Sequence, residues 1–307
     1  MSSKQWGVLA GIVLLVVVVA SVFAMSSRRT TEFTDAEPPT SRPTTTFDGS
    51  PEASNRDGTG EARGADYTTC AAIPQTFPLP PRSCRFVAPA DLRSDERLPA
   101  VILLHGFNTL AATEFAQGHW EASLTEHRFI VVLPEGQFGS WNAGGCCAIS
   151  QQAGVDDVGY LRAVLDQTAA RPDVDPSQIS VVGNSNGGMM AYLFGCAEAG
   201  RLTGIASVEG TPMAQCAPSR PVPVLHVHGR ADMTVPYAGG QSLISWVLGV
   251  TFPPIEQAIG GIATAMGCPG PAEATSDGPV TTQQWQGCPP GIRVELDAID
   301  GAAHAWP

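Results

Sequence analysis

Apolar and polar positions fall into short blocks along the chain, and the blocks read as strands and helices taking turns. "PAVILLH" at 99–105 and "FIVVLPEG" at 129–136 are compact apolar runs of the kind that fill strands covered on both faces. Between them, "ATEFAQGHWEASLTEH" spaces Phe115, Trp120 and Leu124 at a helical period. From Val155, "VDDVGYLRAVLDQTAA" puts Val158, Leu161 and Leu165 on one helical face, with Asp156 and Asp157 in the first turn, where the helix dipole favours acids over a metal-pair reading. "QISVVGNSNGGMMAYLFGC" carries a strand into a helix through glycines, and "GIASVEG", "VPVLHVHG" and "IRVELDAI" supply three later strands. This rhythm predicts an α/β fold, a mostly parallel sheet with helices on both faces. Residues 238–290, including "SLISWVLGVTFPP", read as an insertion overhanging whatever site the sheet carries.

Before this domain the pattern changes twice. "WGVLAGIVLLVVVVASVFAM", residues 6–25, is an uncharged apolar run about as long as the roughly 20 residues that span a bilayer. Val22 and Ala24 offer a small-residue cleavage site, while Arg28 and Arg29 look like a stop. Residues 1–25 are therefore expected to be a signal peptide or a membrane anchor, their length favouring the uncleaved anchor. Residues 26–68 are rich in Thr, Ser, Pro, Gly and acids, and read as a disordered tether unable to bury enough surface to fold. The folded domain is expected to run over 69–307, outside the cytoplasm, either secreted or held at the membrane.

Charge and cysteine usage sharpen that placement. A net charge of −12 with a single lysine in 307 residues argues against a nucleic-acid partner, which needs clustered cations. Eight cysteines, all beyond the apolar run, suggest disulfides in an exported chain, and the spacing lacks the paired knuckles of a zinc site. Cys196 with Cys216, and Cys268 with Cys288, are each close enough in sequence to pair locally. The neighbours Cys146 and Cys147 could bond to each other or to distant partners.

The glycines around Ser185 carry the chemistry. Gly183-Asn184-Ser185-Asn186-Gly187 fits GxSxG, a turn that lifts a serine above the carboxyl edge of a parallel sheet, and it lies between "ISVV" and "MMAYLF" as that turn requires. A serine nucleophile needs a base, and the base an orienting acid, in the chain order serine, acid, histidine. His226 and His228 alternate within a strand and read as packing residues. His304, in the loop "DGAAHAWP", is the candidate base. Asp232, just past a strand end in "HGRADMTVPY", is the candidate acid, ahead of Asp297 and Asp300, which lie too near His304. The amides of Phe107, in "LLHGFN", and of Asn186 are the candidate oxyanion donors. His105 reads as structural. Trp141 and Trp306 are candidate walls of an acyl pocket.

In order, "LLHGFN", "VVLPEG", "SWNAGGCC", "VDDVGYLRAVLD", "VDPSQISVVGNSNGGMMAY", "PVPVLHVHGRADMTVPY" and "GAAHAWP" resemble the extracellular polyhydroxybutyrate depolymerase-like esterases, with their feruloyl and acetylxylan esterase relatives, over nearly all of 99–307. The resemblance implies an α/β-hydrolase fold, serine esterase chemistry and neither metal nor organic cofactor. Carried across by motif, it makes Ser185 nucleophile, Asp232 acid, His304 base, and Phe107 and Asn186 oxyanion donors. Phe107-Asn108-Thr109 departs from the cysteine or glycines that many relatives place after His-Gly. Only three residues follow His304, so soluble esters are expected ahead of solid polyester. The expected activity is two-step acyl transfer on short-acyl, hydroxyalkanoate or feruloyl-type esters. A serine peptidase on the same fold and an inactive cell-surface binding protein are the alternatives.

Overall fold

The computed structural model describes residues 66–75 and 79–307. The expected signal peptide or anchor, and the expected tether up to residue 65, lie outside them. Among the described residues no helix is long and apolar enough to cross a membrane.

Ten strands of the described chain form one sheet: β1 (Asp66–Thr69), β2 (Cys84–Ala88), β3 (Leu98–Leu104), β4 (Ile130–Pro134), β5 (Val174–Asn184), β6 (Ile205–Val208), β7 (Val224–Gly229), β8 (Ala272–Asp277), β9 (Val280–Trp285) and β10 (Val294–Ile299). Their order across the sheet is β1-β2-β4-β3-β5-β6-β7-β10-β9-β8. The middle six, β4 to β10, pair in parallel, and an antiparallel pair closes each edge. β1 takes in residues 66–68, the last of the expected tether.

The helices are α1 (Ala111–Gln117), α2 (Trp120–His127), α3 (Ala148–Gln152), α4 (Asp157–Ala169), α5 (Asn186–Ala197), α6 (Leu243–Val247) and α7 (Ile255–Ala265). Strand pleating splits the core between the two faces of the sheet. Ile102 and Leu104 of β3 join the large cluster with buried residues of α4, α5 and α7, whereas Leu103 joins Phe115 of α1 and Leu124 of α2 in the smaller one. Both faces therefore carry helices, as the apolar blocks predicted.

Two expectations need correction. The single helix read across 112–127 is two, because His119 takes a left-handed φ of 52° after Gly118 and turns the chain between them. Residues 238–290 overhang the Ser185 turn only through their first part, where Ile244, Leu248, Val250 and Phe252 come beside it, and the rest joins the body of the fold. α7 buries Ile255, Ile259, Ile262 and Ala263 in the core, and β8 and β9 form a hairpin that extends the sheet. β8, "AEATSD", is largely exposed and has no apolar alternation, which is why the pattern does not announce it.

All eight cysteines are paired. Cys196–Cys216 and Cys268–Cys288 form as expected, Cys70 joins Cys84, and Cys146 bonds to its neighbour Cys147. The register sets Leu104 beside Gly183, Asn184 beside Val208, and Val208 beside Val227. The residues that leave β3, β5, β6, β7 and β10 thus emerge along one carboxyl edge, where open α/β sheets gather their sites.

Candidate active site

β5 ends in a tight turn, and Ser185 sits at its apex with φ 52° and ψ −120°, immediately before α5. A positive φ is unfavourable for a residue with a Cβ, so the surroundings must impose it. The Ser185 amide donates to Val208 O at 2.7 Å. A Cβ on Gly183 would collide with the carbonyl of Gly187, and one on Gly187 with the carbonyls of Leu104 and His105. Both glycines are needed because strand, helix and the β3 loop pass through one narrow space.

His304, in the loop after β10, reaches over this turn. Its Nε2 lies 2.9 Å from Ser185 Oγ, and its Nδ1 lies 2.7 Å from Asp232 Oδ2. A carboxylate only accepts, so Nδ1 carries the hydrogen and the Nε2 lone pair faces the hydroxyl. Asp232 Oδ1 accepts from the amides of Thr234 at 2.7 Å and Val235 at 2.9 Å. Burial acts to raise the Asp232 carboxyl, but hydrogen bonds involving His228, His304 and Glu209 outweigh it and hold it below the usual carboxylate range. Its side chain is fully buried, while that of His304 is 21% exposed, so the line runs from a dry acid to a wet base.

Behind the acid stands a file of buried polar side chains. The Tyr192 hydroxyl is 2.8 Å from His226 Nδ1, His226 Nε2 is 3.0 Å from His228 Nδ1, and His228 Nε2 is 2.8 Å from Val235 O and 3.3 Å from Asp232 Oδ2. Val235 O can only accept, so His228 Nε2 bears a hydrogen. His228 Nδ1 then accepts from His226, and His226 from Tyr192. Burial holds His226 well below the usual imidazole range. The two histidines therefore do more than pack.

In front of Ser185 a small cavity of about 40 Å³ opens, lined by Phe107, Met189, Val235, Ile244, Leu248 and Phe252, together with the Cys146–Cys147 pair. Among the described residues neither the Phe107 nor the Asn186 amide donates to a protein acceptor. Asn186 begins α5, whose first amides have no partner within the helix. Its side chain is held by Trp141: Oδ1 accepts from the Trp141 amide at 2.7 Å and Nδ2 donates to Trp141 O at 3.1 Å. Asn142 beyond it donates its amide to Asp157 at 2.7 Å, and Asp157 pairs with Arg82 at 2.6 Å. Asp157 is thus more than a helix-start acid; that part falls to Asp156, which accepts from Gly159 N.

The phospholipase/carboxylesterase family model matches residues 91–248, half of the chain. The chain belongs to the phospholipase/carboxylesterase family. It is 27% identical to feruloyl esterase B of Piromyces equi over 230 residues, 71% of this chain and 41% of that one. It is also 27% identical to the putative esterase NocK of Nocardia uniformis subsp. tsuyamanensis over 228 residues, 69% of this chain and 66% of that one. The chain thus spans less than two thirds of the length of these relatives. Acetyl xylan esterase from Aspergillus awamori superposes with a TM-score of 0.56 at 13% identity, over 79% of this chain and 95% of the other, a likeness of fold.

Several residues stand apart from the line in this carboxylesterase-family chain. Trp141 and Trp306 are not among the cavity's lining residues, because buried acceptors hold both indoles elsewhere. Trp141 Nε1 donates to His105 O at 2.9 Å, and Trp306 Nε1 donates to Glu114. Asp297 accepts from Thr282 at 2.6 Å, and Asp300 pairs with Arg230 at 3.0 Å, so neither rival acid turns to His304. His105 is structural, with Nδ1 donating to Gly106 O and Nε2 accepting from Gly136 N, each at 2.8 Å, and burial lowers it to about 4. Glu209, His228 and Asp232 cluster as a metal-ligating trio would, within 4.8 Å of one another. His228 Nε2, however, carries a hydrogen aimed at a carbonyl and has no lone pair to give. Glu209 lies outside the candidates drawn from sequence, although an acid closing the apolar strand "GIASVEG" was a visible signal.

Proposed function

We propose that the chain is a serine carboxylic-ester hydrolase acting outside the cytoplasm on esters with short acyl groups. The hydrogen-bonded line from Ser185 through His304 to Asp232, at the mouth of an apolar cavity, carries this reading. His304 takes the Ser185 proton as the hydroxyl attacks the ester carbonyl, and the amides of Phe107 and Asn186 receive the oxyanion. His304 returns the proton to the leaving alcohol. Water, activated by the same ring, then attacks the acyl-enzyme and frees Ser185. The four cysteine pairs support an oxidising compartment.

The lining narrows the substrate class. Phe107, Met189, Ile244, Leu248 and Phe252 beside Ser185 offer a small apolar surface that suits a short acyl group. Among p-nitrophenyl esters, kcat/KM is expected to peak at two to four carbons and to fall at longer chains, with methyl ferulate slow. Ser185→Ala should lower turnover by roughly 10⁴-fold or more, and adding His304→Ala should change little further. Full turnover by Ser185→Ala would overturn the mechanism. Fastest cleavage of a feruloyl ester would overturn the short-acyl assignment alone.

A further inference from the structure

Glu209 leaves β6 with a positive φ of 56°, unfavourable for a residue with a Cβ, as is the φ of Ser185 one strand away. Its amide donates to Val227 O at 2.9 Å, and its Oε1 accepts from Gly229 N at 3.0 Å. The side chain is 3% exposed. The other oxygen, Oε2, lies 3.5 Å from His228 Nε2 and 4.0 Å from His304 Nδ1, and the carboxyl is within 4.8 Å of that of Asp232. No hydrogen-bond partner serves it among the described residues. The nearby ring hydrogens are aimed elsewhere, His228 Nε2–H at Val235 O and His304 Nδ1–H at Asp232. The titratable groups facing Glu209 are Asp232, His228 and His304, with no lysine or arginine among them.

Two carboxyl groups so close in a dry site do not both ionise. The donors decide which one stays charged. Asp232 is met by the amides of Thr234 and Val235 and by the ring of His304, whereas Glu209 has the Gly229 amide alone. We propose that Glu209 is a positioning residue: its carboxyl keeps a proton and donates it in a hydrogen bond to the Asp232 carboxylate, completing the donor set that holds that acid behind His304. A proton on Oε2 gives the orphaned oxygen its partner and leaves one negative charge behind the base. Burial first, and then the contact with Asp232, push the Glu209 carboxyl well above its usual range, in keeping with that assignment.

The kinetic consequences rest on the esterase reading, whereas the protonation state does not, so the two are measured separately. Infrared difference spectra of the whole protein at pH 7, wild type minus Glu209→Gln, should contain the carbonyl stretch of a buried protonated carboxylic acid. A carboxylate band in its place would overturn the proposal whether or not the protein cleaves esters. With p-nitrophenyl acetate, Glu209→Gln keeps a donor toward Asp232 and should hold kcat/KM within about threefold of wild type. Its acid limb should coincide with the wild-type limb, because no charge has been removed. An ionised Glu209 would be a charge lost in the variant, and an acid limb displaced downward from the wild-type limb by about one pH unit or more would overturn the proposal. Glu209→Ala removes the donor and should lower kcat by roughly 10- to 100-fold with KM little changed. An Ala variant that melts like wild type and turns over at the wild-type rate would also overturn it.

Discussion

Asp157 and Glu209 are both buried carboxyl groups one layer behind the Ser185–His304–Asp232 line, and they are kept there by opposite means. Asp157 stands on the side of the proposed oxyanion donors: it receives Asn142 N, next to the Trp141 that grips Asn186, and a guanidinium at 2.6 Å answers its charge. Glu209 supports the acid side and faces another carboxyl instead of a cation. A buried carboxyl needs either a counter-charge or a proton, and here one layer uses each. The first solution leaves the group charged and structurally demanding. The second makes it neutral and sensitive to pH.

The largest break in this contrast should come from Arg82→Met, which leaves Asp157 buried without its cation. A loss of about 3–5 kcal/mol in unfolding free energy is expected, read by urea denaturation. Burial already raises Asp157, with Arg82 the principal offset. Without Arg82 the folded-state value climbs further above the unfolded one, so protonated Asp157 is tolerated and the ionised form is not. Stability contributed by a raised group is fully present below its unfolded value and lost as pH rises. The deficit of Arg82→Met should therefore be larger at pH 8 than at pH 5.

Glu209→Gln should behave in the other direction. The raised carboxyl of the wild type contributes stability below the ordinary glutamate range and loses it as pH rises toward the raised value, whereas glutamine does not titrate. The variant should gain on the wild type by up to about 1.4 kcal/mol for each pH unit above that ordinary range. Equal pH slopes for the two proteins would mean that Glu209 is ionised when folded, and the contrast with Asp157 would collapse. The smallest effect is expected from Asp300→Asn, whose partner Arg230 is a surface one. Both melting and ester turnover should stay within about 0.5 kcal/mol of wild type, which calibrates the larger changes.

How much of this was legible in the sequence follows from which signals are local. The glycines of the Ser185 turn, the apolar runs of β3 and β4 and the strand-end position of Asp232 are each visible within a few residues. The order serine, acid, histidine then brings three distant residues into one line. Edge strands were not legible, because β8 and β9 have no buried face to impose alternation. Pairings made across the fold also left no local trace. Arg82 and Asp157 are 75 positions apart with no pattern that joins them, and Tyr192 meets His226 only because α5 packs over β5 and β6, next to β7. The partners of Trp141 and Trp306 left no local trace either, because the acceptors of their N–H groups lie on distant segments.

The edge of the sheet that begins with β1 has a mechanical meaning. A pull on the chain from its amino-terminal side reaches β1 first and would peel its four residues from β2 one pairing at a time. At Cys70 the unzipping meets a covalent stop, because Cys70 is tied to Cys84 at the start of β2. From there the load passes into a strand paired along β4, and the segment between the two cysteines is bypassed. Tension on the amino-terminal side is thus met by a bond at the rim, with β4 and β3 lying between β2 and the strand that leads into Ser185.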